Sequence, residues 1–137
     1  MSVGATYLFR YKAKNVHGWS TYRSGTLSLV AAKVSDALAT ISTSNEGMLV
    51  KKKWAALAYN GGSNVIGYWI KILDQSNSLV ESITYCNGLD PTIRANKYCY
   101  IPMTSLTACP FQLPLSNIAL AQVEALTVVG YSDPLPS

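Results

Sequence analysis

The sequence has few charged residues and few of the side chains that build catalytic or metal sites. Charged residues make up 13% of the 137 residues, and His17 is the only histidine. The three cysteines lack the Cys-x-x-Cys spacing of a zinc site, and no Gly-x-Ser-x-Gly motif occurs. No spacing forces two carboxylates together as a glycosidase needs. We therefore expect no enzymatic activity, no cofactor and no metal site.

Two further absences limit the partners. The only basic run is Lys51–Lys53, too little for a phosphate-binding face, so we expect no nucleic acid partner. No stretch approaches the roughly 18 apolar residues of a membrane span, so we expect no membrane insertion. No signal peptide is visible in residues 1–14. Asn-x-Ser/Thr is absent, whereas O-linked sugars on residues 41–44 remain an alternative to a plain polar linker.

The residues that are present favour strands. Hydrophobic residues make up 49% of the chain, with nine tyrosines among them, which indicates a packed core rich in β structure. Alternation of apolar and polar residues predicts short strands separated by turns. In the middle of the chain these strands are 48–54, 67–73, 78–85 and 98–103. Several short strands at this spacing predict an all-β sandwich with negligible helix.

The chain also repeats its own beginning. Residues 7–20 and residues 119–132 match at a constant offset of 112, in their alternation as well as in their letters. The identical pairs are Leu8/Leu120, Ala13/Ala125, Val16/Val128, Gly18/Gly130 and Ser20/Ser132, and Trp19 is matched by Tyr131. After the first copy, residues 25–30 form a plausible partner strand, whereas only residues 133–137 follow the second copy. Such self-similarity indicates a repeat array.

Three segments carry a resemblance to a known family. Residues 7–20, with Tyr, Phe, Tyr and Ala alternating before Gly18 and Ser20, resemble the F strand and F–G turn of fibronectin type III domains. Trp54 followed by residues 60–72 is similar to the B strand, B–C loop and C strand of that family. Residues 98–111 resemble a variant found in tandem arrays of surface proteins from single-celled eukaryotes.

The resemblance implies a fold and a domain organisation. The fold is a fibronectin type III or immunoglobulin-like Greek-key β-sandwich. Residues 1–31 are then strands F and G of a preceding or neighbouring domain. Residues 34–137 are strands A to F of the next domain, which lacks its own G strand. Secretion or surface display, with an adhesive or spacer role, is implied as well.

The sequence departs from the family at two positions. Lys52 occupies a place that is usually apolar, so either the strand is shifted or the Lys52 side chain runs along the edge of the core. Ala119 stands where the first copy has Tyr7, so a tyrosine corner is available to only one of the two domains.

Three exposed apolar residues are candidates for an interaction surface. Trp54 is expected in the core, but Trp69 alternates out of phase with Tyr68 and faces away from the core together with Leu73. Cover by a neighbouring loop or domain is the alternative for Trp69. Tyr22 is the third candidate, as a platform for carbohydrate or protein.

The cysteines predict one disulfide. Cys86 and Cys99 enclose an Asn-Gly turn and a polar loop, and we predict that they are bonded. Cys109 is then left free or forms an intermolecular bond.

Three functions compete. The leading hypothesis is a structural repeat unit of an extracellular fibre or cell-surface scaffold, whose partners are other copies or adjacent repeats. In it the inter-unit strand, residues Thr26, Leu27, Ser28, Leu29, Val30 and Ala31, lies beside residues 119–128 of the adjacent unit, by strand donation or by chain continuity. The alternatives are an adhesive module for protein or glycans and a cytosolic scaffold of the muscle-filament kind.

Overall fold

The fold was analysed in a computed structural model, which describes residues 1–22 and 25–136. The strands are β1 (Thr6–Phe9), β2 (Lys14–Asn15), β3 (Gly18–Trp19), β4 (Leu27–Val30), β5 (Ile41–Glu46), β6 (Leu49–Trp54), β7 (Val65–Leu73), β8 (Leu79–Glu81), β9 (Tyr98–Pro102), β10 (Ala121–Thr127), β11 (Gly130–Tyr131) and β12 (Leu135–Pro136). Two short helices, α1 (Pro91–Asn96) and α2 (Met103–Thr107), complete the described chain.

Most of the chain forms one two-sheet sandwich. The first sheet has the order β5-β6-β9, and the second has the order β8-β7-β10 with β11 and β12 along the outer edge of β10. All of these pairs are antiparallel. The prediction of an all-β sandwich is confirmed. Its strand order is that of sheets A-B-E and C′-C-F-G in the fibronectin type III and immunoglobulin-like class.

The core lies between the two sheets, where the inward positions of each strand meet. Trp54 is 2% exposed, as predicted, and its ring packs edge-on against Tyr68 with 5.3 Å between the ring centroids. Alternate residues of β7 and β10 are buried because successive side chains of a strand point to opposite faces. The buried apolar side chains on these two strands are those of Tyr68, Ile70, Ile72, Ala121, Val123 and Ala125.

The helix α1 was not predicted. The carboxylate of Asp90 accepts hydrogen bonds from the amides of Thr92 and Ile93, and Pro91 occupies the first turn. Lys97, in the left-handed region at φ 59°, ends the helix. A helix of 6 residues is too short to show a periodic apolar face, so only its capping residues could have indicated it.

Residues 41–44, considered above as a polar linker, belong to a strand. They lie in β5, which pairs with β6 from Ile41 opposite Trp54 to Glu46 opposite Leu49. This corrects the linker interpretation. The polar composition of the segment is compatible with a strand because β5, among the strands that the structure describes, pairs with β6 alone and lies at the edge of its sheet.

The N-terminal residues form a hairpin outside the sandwich. In it β1 pairs with β4, and β2 pairs with β3. The hairpin meets the sandwich at two glycines of the loop before β7. The amide of Lys33 donates to the carbonyl oxygen of Gly61 at 2.9 Å, and Gly4 packs against Gly62. A Cβ atom on Gly61 would lie 2.1 Å from the carbonyl oxygen of Lys33, so only glycine allows this contact.

Candidate inter-unit surface

The 112-residue repeat is also present in the hydrogen bonds. The amide of Ala13 donates to the Ser20 hydroxyl at 2.9 Å, and the amide of Ser20 donates to the Ala13 carbonyl at 2.8 Å. At the offset of 112, Ala125 and Ser132 make the same two bonds, at 2.9 Å and 2.8 Å. Lys14 opposite Trp19 likewise corresponds to Leu126 opposite Tyr131. The hairpin and the end of the sandwich are therefore copies of one structural element.

One face of the hairpin is apolar and exposed. Tyr7 lies opposite Leu29 and Phe9 lies opposite Leu27, and directly paired residues of an antiparallel ladder share a face. Tyr11 continues the alternation. Phe9, Leu27 and Leu29 are 42%, 59% and 50% exposed. Exposed apolar faces are frequent at interaction surfaces. We call these five residues the apolar hairpin face.

The corresponding face in the sandwich is buried. At the offset of 112, Tyr7, Phe9 and Tyr11 correspond to Ala119, Ala121 and Val123. These three residues are at most 6% exposed because the sheet β5-β6-β9 covers them. The apolar hairpin face thus corresponds to a face that is buried in the sandwich. Within the described residues, no second sheet covers it.

The predicted inter-unit strand is paired within the chain. Leu27–Val30 forms β4, whose partner is β1. Ala31 extends this pairing, since its amide donates to the Ala5 carbonyl at 2.9 Å and its carbonyl accepts from the Gly4 amide at 2.6 Å. Thr26 precedes the strand. Within the described residues, residues 27–31 therefore pair with β1 of their own hairpin, the strand that resembles strand F.

The expectation that the sandwich lacks its own G strand is corrected. β11 and β12 lie along the outer edge of β10, where Tyr131 pairs with Leu126 and Leu135 pairs with Val123. They form the first part of a G strand. Two segments of 2 residues each, one of them ending in Pro136, carry too weak a strand pattern to be read from the sequence.

Trp69 and Leu73 lie on the outer face of β7, as predicted, and are half-buried. The Trp69 ring packs against the Tyr131 ring with 4.9 Å between centroids, and the ammonium of Lys71 lies 3.4 Å from its centroid. Tyr22 belongs to the hairpin, where Lys12 lies 5.2 Å from its ring. Trp69 is thus partly covered by its own sheet, and the three candidates lie on two separate elements.

The same outer face carries a cross-strand ion pair. Lys71 Nζ on β7 lies 3.1 Å from Glu124 Oε1 on β10, and both side chains are largely buried, at 16% and 10% exposed. The side-chain amide of Gln122 donates to the same Glu124 oxygen at 2.8 Å. A partly shielded, hydrogen-bonded pair of this kind contributes more than a fully exposed one. It joins strand C to strand F, and no pattern in the sequence indicated it.

Lys52 is fully buried, facing the core from β6. Its ammonium donates to the carbonyl oxygen of Ala119, just before β10, and to the hydroxyl of Thr43 at 2.5 Å. Burial lowers the pKa of Lys52 to about 8. Both expectations for this residue, a shifted strand and a side chain along the core edge, are wrong, because the whole side chain is enclosed and its charge is held by two oxygen acceptors.

The predicted disulfide is confirmed. Cys86 and Cys99 are bonded, and both are 2% exposed. The bond ties the segment after β8 to β9 across α1. Cys109 is free and exposed, on a surface next to Gln112.

Beyond these surfaces, the described residues form open grooves. One of about 390 Å³ lies between β5 and the loop of residues 113–118, and a wider one of about 770 Å³ lies beside Met48 and Met103. Within residues 1–22 and 25–136, no three His, Cys, Asp or Glu side chains are grouped closely enough to hold a metal ion. The same residues contain no helix with the length and hydropathy to span a membrane.

Comparison with known proteins supports the fold. No protein-family model matches the chain, and neither does any curated protein. Among solved structures, the chain is similar to the crystal structure of domains A168-A170 from titin, with a TM-score of 0.54 and 18% sequence identity. The match covers 92% of this chain and 38% of the titin chain. At this identity the similarity shows the fold alone, an immunoglobulin or fibronectin type III-like β-sandwich.

Proposed function

We propose that this chain is a structural segment of a tandem array of fibronectin type III-like sandwiches in an extracellular fibre or cell-surface scaffold. The observation that carries the proposal is the pair of hydrogen bonds between Ala13 and Ser20, repeated 112 residues later between Ala125 and Ser132. One element thus occurs twice, once in a sandwich and once with its core face exposed. In a repeat array each repeat buries its apolar faces against its neighbours, so a face that is exposed in one segment is covered in the array.

Of the two routes by which the inter-unit strand could reach an adjacent unit, we propose chain continuity. β11 and β12 already lie along β10 between residues 122 and 127, so a donated strand would have to displace them. Continuity requires no displacement. The residue after position 137 corresponds to Thr26 at the offset of 112, so the next residues of a repeat would extend the G strand past residues 118–121.

An extracellular setting is supported by the cysteines. The buried bond between Cys86 and Cys99 is of the kind that persists in oxidising compartments and is rare where thiols are kept reduced. Mass spectrometry of the protein with and without a reductant separates this setting from a cytosolic scaffold, in which all three cysteines would be thiols.

The array is tested by extending the 137-residue chain at its C terminus with a copy of residues 26–33. Leu27 and Leu29 of the copy are expected to complete the core, because their counterparts in the hairpin share a face with the core-side positions. Burying two leucines adds about 2 kcal/mol or more to the free energy of unfolding, which is a rise of about 5–10 °C in Tm.

The matched control carries Ser in place of both leucines of the added copy. It has the same length and the same backbone, and we expect no rise in its Tm. Equal melting temperatures for the extended chain, the control and the parent, measured by circular dichroism, would contradict the tandem proposal.

A further inference from the structure

The hairpin carries the whole net charge of the chain. Residues 1–31 contain four basic residues and no acidic one, namely Arg10, Lys12, Lys14 and Arg23. The remaining 7 basic residues, 11 minus 4, balance the 7 acidic residues, so the net charge of +4 belongs to the hairpin. Lys12 lies 4.8 Å from the Trp19 ring, and Lys14 lies 5.6 Å from it. The outer face of the hairpin is therefore basic and aromatic.

The matching positions of the sandwich have a different chemistry. Arg10 and Lys12 correspond to Gln122 and Glu124. Glu124 forms the ion pair with Lys71 of strand C, and the side-chain amide of Gln122 donates to the same Glu124 carboxylate. In the register of β10 with β7, Gln122 lies directly opposite Lys71. A second copy of this chain would thus place Lys71 opposite Arg10 and beside Lys12, and like charges paired across strands destabilise a sheet.

The core face differs in size as well. Where the sandwich has Ala119, Ala121 and Val123, the hairpin has two tyrosines and a phenylalanine. The sandwich core opposite those small residues is filled, since Ala121 and Val123 are both 0% exposed. Phe9 and Tyr11 would overpack the positions of Ala121 and Val123, because adding rings to a filled core forces shifts of side chains and backbone.

We propose that the hairpin forms the last two strands of a second sandwich, whose other strands come from a repeat of different sequence. That repeat has a wider core opposite Tyr7, Phe9 and Tyr11, and it carries an acidic side chain on strand C at the position of Lys71. The inference rests on the tandem arrangement proposed above. Size and charge both exclude a second copy of this chain from that place, so neighbouring repeats are matched in sequence and fixed in order.

The test uses the full chain extended at its N terminus by a second copy of residues 34–112, which at the offset of 112 leads directly into Met1. This supplies the hairpin with strands A to E of this chain. Three altered forms convert the hairpin to the sandwich sequence. One is core-matched (Tyr7→Ala, Phe9→Ala, Tyr11→Val), one is charge-matched (Arg10→Gln, Lys12→Glu), and one carries both sets.

Hydrogen exchange of the β1 amides, measured by mass spectrometry, reports whether the hairpin has joined the added strands. Because β1 lies outside the sandwich of residues 34–137, this signal is separate from that sandwich. We expect the extended parent to exchange at β1 as fast as the 137-residue chain does. We expect each set of substitutions to slow this exchange, and both sets together to slow it on the order of 10–100-fold. The same substitutions in the 137-residue chain, which lacks the added strands, are the control and are expected to slow nothing.

Two results would overturn the proposal. In the first, β1 of the extended parent is already as protected as β10, which makes a second copy of this chain the natural neighbour. In the second, the β1 amides of the form with both sets exchange as fast as those of the core-matched form, or none of the three altered forms exchanges more slowly than the extended parent. The C-terminal extension described above leaves the hairpin itself unchanged, so the two experiments can fail separately. If the C-terminal extension raises Tm but the N-terminal extension gives either of these results, the proposed neighbour of different sequence is wrong and the tandem array stands.

Discussion

Replacing Cys86 and Cys99 together by alanine is expected to lower the free energy of unfolding by about 3 kcal/mol. The bond closes a loop with a sequence separation of 13, and it ties β9 to the segment that precedes α1. Without it the unfolded chain gains the conformational freedom of that loop, while the folded chain loses a buried contact. Urea unfolding of the double variant and the parent measures the difference.

Cys109→Ala is the matched control for this prediction. Cys109 is exposed and outside the bond, so its replacement is expected to leave the unfolding midpoint unchanged. A double variant within about 0.5 kcal/mol of the parent would mean that the bond contributes nothing measurable to stability.

Replacing Lys52 by methionine is expected to stabilise the protein at pH 7 by about 3 kcal/mol. The pKa of Lys52 is lowered by burial to about 8 in the folded chain, against an ordinary value of 10.5. Below pH 8 the ammonium is charged in both states, and the folded state bears the full cost of burying it, at about 1.4 kcal/mol per unit of pKa. Methionine fills a similar volume without a charge.

The pH dependence of this effect has a definite sign. Between pH 8 and 10.5 the unfolded chain binds more protons at Lys52 than the folded chain does, so the stability of the parent rises with pH in that window. The Lys52→Met variant is expected to lack this rise between pH 8 and 9.5, in urea titrations at several pH values. Lys53→Met, at the exposed neighbouring position, is the control and keeps the slope. A Lys52→Met protein less stable than the parent at pH 7 would show that the bonds to Ala119 and Thr43 outweigh the burial cost.

The sandwich could be predicted from the sequence because its strands alternate clearly. The predicted strand at 67–73 is observed as Val65–Leu73, and Trp69 faces outward as its phase indicates. The disulfide followed from the short loop between its two cysteines. Each of these predictions rests on a local pattern, in which neighbours along the chain decide the outcome.

The features that were missed depend on contacts between distant residues. β5 is polar and becomes a strand through its pairing with β6, and β11 and β12 are too short to show alternation. The ion pair of Lys71 with Glu124 joins residues 53 positions apart. The enclosure of Lys52 depends on the carbonyl of Ala119, 67 positions away. No local pattern encodes such a pair.

The candidate surface was predicted in part. The repeat at the offset of 112 led to the hairpin and to the G-strand segment, and β4 is a strand within that segment. The difference in size between Tyr7, Phe9 and Tyr11 and their counterparts was visible in the sequence as well. The consequence of this difference depends on the finding that Ala121 and Val123 are fully buried under the opposite sheet.

The most direct test of the tandem arrangement is a crystal structure of the 137-residue chain extended by a copy of residues 26–33. At the offset of 112, the pairing of β1 with β4 predicts that Leu27–Val30 of the copy lies antiparallel to residues 118–121, with Leu29 opposite Ala119 and Leu27 opposite Ala121. Both leucines would point into the core. An added segment that stays unpaired, or that pairs in another register with its leucines facing solvent, would contradict the account.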